Sequence, residues 1–88
     1  MRLFWLTYCN PSGALRGVVI VDSVTLLMAR FKTAVRGLDQ GLQYSEGHRL
    51  DDGSAELVPA DLIGRMLRPV EAARLIRKLE RAVAKRPP

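Results

Sequence analysis

The sequence predicts an α+β domain, a small three-stranded antiparallel sheet packed with helices in the order ββαβαα. Three observations predict it. Leu3–Tyr8 and Gly17–Val21 are apolar runs rich in branched and aromatic residues, separated by a Pro/Gly turn. Residues 24–38 place apolar side chains three and four apart, as a helix does. A third, more polar segment alternates along 42–50 before a helical C-terminal region.

The first strand is apolar on both parities, with Phe4, Leu6 and Tyr8 on one side and Leu3 and Trp5 on the other. Such a strand belongs inside a sheet covered on both faces. Asn10-Pro11-Ser12-Gly13 reads as a type I turn, with Pro at its second position and Gly at its fourth. Gly17–Val21 is then the second strand of a hairpin. Asp22 or Ser23 is the expected cap of the next helix, because either side-chain oxygen can accept an orphan N–H. That helix is expected to turn Val24, Leu27, Met28, Phe31, Ala34, Val35 and Leu38 toward the core, and Gly37 and Gly41 stop it.

Leu42, Tyr44, Glu46, His48 and Leu50 fall on one face of the third strand. Gly47 and the charged residues mark it as an edge, with a bulge as an option. Asp51–Ser54 reads as a loop, and Pro59 opens a short helix to about Met66. Pro69 starts the last helix, about 70–85, which is expected to bury Val70, Ala73, Ile76, Leu79 and Val83. With the third strand beside the first, the first is central and all neighbours are antiparallel. The reading takes 1–86 as one domain and Pro87-Pro88 as a disordered tail.

At 88 residues, 48% of them hydrophobic, the chain has room for one core and is too apolar for intrinsic disorder. Cys9 is the only cysteine, so neither an intrachain disulfide nor a thiolate zinc cluster can form. A small domain without cross-links fits a reducing compartment, and the cytoplasm is the expected location. The apolar run at the N-terminus breaks at Asn10, short of a signal peptide.

Net charge is +5, distributed as +3 over residues 1–43, −4 over 44–61 and +6 over 62–88. The basic end is patterned. Arg74, Arg77, Lys78, Arg81 and Lys85 recur at three- and four-residue spacing and share one helix face. Such a face can neutralise phosphates without reading sequence, which makes these five the candidate nucleic-acid-binding residues. The bland alternative is a solvated face near a helix C-terminus. A membrane surface fits less well, because the apolar side of this helix has no aromatic anchor.

Glu46 and His48, two apart on one strand face, form a candidate polar site, since a carboxylate beside an imidazole can pass a proton. No nucleophile is spaced beside them, and a lone histidine with scattered carboxylates makes no metal-ligand pattern. Asp22 ends a strand, but no glycine-rich phosphate loop accompanies it. The sequence points to no enzyme, no cofactor, no metal and no small-molecule ligand. The expected function is a non-enzymatic protein-interaction or self-associating accessory module, acting through the uncharged edge of the second strand. Sequence-nonspecific nucleic-acid binding is the alternative.

Overall fold

The computed structural model describes residues 2–85. The turn at Asn10 and the two apolar runs around it build a hairpin of β1 (Arg2–Cys9) and β2 (Leu15–Ser23). Asn10 organises the reversal: its side-chain oxygen accepts from the backbone N–H groups of Ser12 (3.1 Å) and Ala14 (3.0 Å). Gly13 closes the turn at a φ of 88°, where a side chain would be strained. α1 (Leu26–Val35) follows, then β3 (Gln43–Arg49), α2 (Asp52–Glu56), a 3-10 turn (Ala60–Leu62), β4 (Met66–Leu67) and α3 (Pro69–Ala84).

The sheet runs β3-β1-β2-β4 with every neighbouring pair antiparallel. β1 is central, as its two-sided apolarity requires. The sheet has four strands rather than three, because residues 59–66 do not form the expected helix. Met66 and Leu67 instead pair with Val19 and Val18, and Gly64 donates to the Ile20 carbonyl at 2.8 Å. β4 thereby occupies part of the β2 edge that the sequence marks as a partner surface. Gly17 permits the approach: a Cβ there would meet the Met66 sulfur and the Leu67 carbonyl oxygen. The expected loop at 51–54 also differs, since Asp51 caps α2 by accepting from the Ser54 N–H at 2.8 Å.

Two apolar layers sandwich the sheet. Leu3, Trp5, Val18 and Ile20 pack with Leu67 and the α3 residues Ala72, Leu75 and Leu79. Phe4, Leu6, Tyr8, Val19 and Val21 pack on the other face with Ala29 of α1. Both long helices are rotated from their expected setting. α1 buries Ala29 and Thr33 rather than its large side chains, and α3 buries Ala72, Leu75 and Leu79, of which only Leu79 was expected. α1 also starts later than Asp22 or Ser23 would place it, because Thr25 is the cap and accepts from the Met28 N–H at 3.1 Å. It ends in a Schellman motif, with Gly37 donating to Ala34 and Leu38 to Thr33. Arg68, extended before Pro69, marks the start of α3 as expected. The proposed tail at 87–88 lies outside the described residues.

Candidate functional site

Ala29 and Thr33 are small, so α1 sits close over Phe4, Leu6, Tyr8, Val19 and Val21. The Thr33 hydroxyl is satisfied inside its own helix, donating to the Ala29 carbonyl at 2.8 Å. With those residues inward, the opposite side of α1 carries Leu27, Met28, Phe31 and Val35, at i, i+1, i+4 and i+8. Val24 extends the row just before the helix. These are the residues the sequence assigns to the core, and here they face outward. Val24, Leu27, Phe31 and Val35 are each more than 60% exposed, and Met28 is 52% exposed.

The cations of α1 do the reverse and reach back toward the sheet. Lys32 donates to both the backbone carbonyl of Asp22 (2.9 Å) and its carboxylate (3.0 Å). That hydrogen bond, chiefly, holds the Asp22 carboxyl below the usual carboxylate range, and the charge of Arg36 acts in the same direction. Arg30, on the other flank, lies over the Tyr44 ring with 3.9 Å to its centroid. Tyr44 meets Tyr8 edge-on, centroids 6.0 Å apart. A cleft of about 320 Å³ opens here, with Leu27 and Phe31 on one wall and Tyr8, Leu42 and Tyr44 on the other. The outward arc of α1 is thus apolar, and its charged groups are tied down at the sides.

The basic stripe stands where its spacing puts it. Arg74, Arg77, Lys78, Arg81 and Lys85 are all exposed on the side of α3 turned away from the sheet. Among the described residues, none of the five is paired with a carboxylate. Two carboxylates of the acidic middle are engaged elsewhere: Asp52 meets Arg49 at 2.9 Å, and Asp51 caps α2. Glu71, at the start of α3, is bound by Arg65 at 2.9 Å and lies near Arg68 at 3.4 Å.

Glu46 and His48 both face the α3 side of the sheet, in register with Thr7 and Trp5. Both are exposed, and no hydrogen bond joins them. A register shift at Thr7/Tyr8 leaves Ser45 unmatched and carries Tyr44 to the opposite face, opposite Tyr8, so Tyr44 does not stand beside the pair. His48 borders an open groove of about 450 Å³ walled by Trp5, Ile76, Leu79 and Val83, with Glu80 on its rim. Glu46 borders a neighbouring hollow with Thr7, Leu15 and Ala73. Among the described residues, no group of three or more His, Cys, Asp or Glu side chains could hold a metal ion.

The α1 face is the feature that reading the sequence misplaced. Its spacing was plain, but an apolar row on a helix signals a core contact unless the tertiary fold puts something smaller inward. Comparison with protein-family models, with curated proteins and with solved structures finds no match to this chain.

Proposed function

We propose that this chain is a non-enzymatic protein-interaction module that docks through the outward apolar row of α1. One observation carries the reading: α1 turns Ala29 and Thr33 to the sheet, with Leu26 half-buried at its first turn, and leaves Leu27, Met28, Phe31 and Val35 to solvent. A helix that needed only to cover the sheet would bury its large side chains. Scattered exposed apolar residues are ordinary, but four on one side of α1, extended by Val24 just before it, make a row of the kind that marks interaction surfaces. The interaction site therefore moves from the β2 edge, partly taken by β4, to the helix on the opposite side of the sheet from α3. A cytoplasmic location agrees with a lone Cys9, and among the described residues no helix is long and apolar enough to cross a membrane.

The test is a photo-crosslinking amino acid placed at Phe31, with Arg77 as the control position. A discrete protein adduct from position 31 and none from position 77 is the expected result. Equal, diffuse labelling from both positions would sink the reading.

A second reading has its own support, the five exposed and unpaired cations of α3. Arg74, Arg77, Lys78, Arg81 and Lys85 would neutralise phosphates of either nucleic acid without reading bases. No aromatic side chain stands within that stripe to stack a base.

A further inference from the structure

We infer that the occupant of the α1 face is a second copy of this chain, its α1 packed against the first across a two-fold axis. The inference rests on the docking reading above and names its partner. Three observations select a second copy.

The first is charge. Leu27, Met28, Phe31 and Val35 present no ionic or hydrogen-bonding group, so the row demands no complementary charge from a partner. The cations beside it would normally penalise self-association by setting like charges opposite one another. Here Lys32 is ion-paired with Asp22 and Arg30 is held over the Tyr44 ring, so both cations stand at the flanks of the row rather than on it. Two rows can meet with those charges outside the contact.

The second is area. At the exposures found, the five side chains show solvent roughly 600 Å² of apolar surface, at the upper end of what monomers leave open. Closing one row on another removes at most about 1,200 Å² in total, which reaches the lower bound of a specific interface. The cleft walled by Tyr8, Leu42 and Tyr44 lies next to Leu27 and Phe31 and adds a recess at the edge of the contact.

The third is what the sheet edges offer instead. β4 and the Ile63 bridge to Ile20 occupy the middle of the β2 edge. The β3 edge carries Glu46, His48 and Arg49, the kind of charged edge that discourages strand pairing. Between the sheet edges and α1, α1 offers the uncharged apolar surface.

In a two-fold pairing the residue nearest the axis meets its own copy, and Met28 and Phe31 lie at the middle of the row. The purified full chain should show a concentration-dependent mass in analytical ultracentrifugation, with a dissociation constant of about 1–100 μM for so small an interface. Phe31→Glu and Leu27→Gln should each weaken the dimer at least about tenfold, with unchanged circular dichroism, while Arg77→Glu leaves it intact. Met28→Cys in a Cys9→Ser background should form a disulfide-linked dimer on mild oxidation, because pairing across the axis brings the two thiols within bonding range. A monomer throughout that concentration range overturns the inference, and so does a dimer indifferent to Phe31→Glu. If that monomer sediments with anionic phosphatidylserine vesicles, the row is a lipid surface. If the monomer yields a position-31 adduct of another mass, the docking reading stands and only its partner changes.

Discussion

Glu71 is where a single side chain gathers most of the local polar order. Its carboxylate accepts from the Arg65 guanidinium at 2.9 Å and from the Arg68 backbone N–H at 3.1 Å, so it fastens the segment before α3 to the first turn of that helix. Those bonds, the Arg65 contact first, bring its pKa down to about 2. A carboxyl depressed in the folded state contributes its stability fully above its unfolded value of roughly 4.3, and loses it as pH falls toward the folded one. Asp22 adds to the same trend through Lys32. The urea midpoint should therefore fall between pH 5 and pH 2.5, and Glu71→Gln should flatten that fall. Parallel pH profiles for the variant and the wild type would show that Glu71 is not the group responsible.

At the scale of elements, α1 makes the most unusual choice. Ala29 is fully buried under the β1–β2 hairpin, whereas Phe31, two residues on, is 63% exposed. Adding bulk inside a packed layer typically costs about 1–3 kcal/mol, because the helix must lift or the neighbours must leave their rotamers. Changing an exposed side chain away from special features typically moves stability by no more than about 0.5 kcal/mol. Ala29→Leu should therefore destabilise the domain clearly and Phe31→Ser should not, in urea unfolding at submicromolar protein, where association does not contribute. The opposite ranking would mean that α1 sits on the sheet through its large side chains. α3 repeats the theme more mildly: Ile76 and Val83 border the groove beside β3, and Ala72, Leu75 and Leu79 hold the helix down.

Across the whole molecule, the sheet separates two surfaces of different chemistry. α1 presents an apolar row on one face, and α3 presents five cations on the outer side of the other. A dimer closed through α1 would carry its two basic helices outward, on opposite ends of the pair. If those stripes bind nucleic acid, engagement of all five cations predicts a log–log salt slope of about −4.5 for duplex DNA. A fluorescence anisotropy titration at several salt concentrations reads this directly. No binding at low salt would leave the α3 stripe as a solvated face and the α1 row as the working surface.

The sequence determined those features whose causes are local. Strands one to three are legible because branched and aromatic side chains and period-two alternation act over a few neighbours. The boundary at Pro69 is legible because a proline ring restricts itself and Arg68. The cationic stripe of α3 is legible because spacing alone puts five residues on one side of a helix. Tertiary structure decided the rest. β4 is two residues long and exists only through hydrogen bonds to β2, so no local pattern announces it. The shift at Ser45 that parts Tyr44 from Glu46 and His48 depends on pairing with β1. Helix rotation is the deepest case. The periodicity of α1 shows which residues share a side, and the hydrophobic effect favours burying the larger set. Close packing of Ala29 and Thr33 over the hairpin chose the smaller one and left the larger facing solvent.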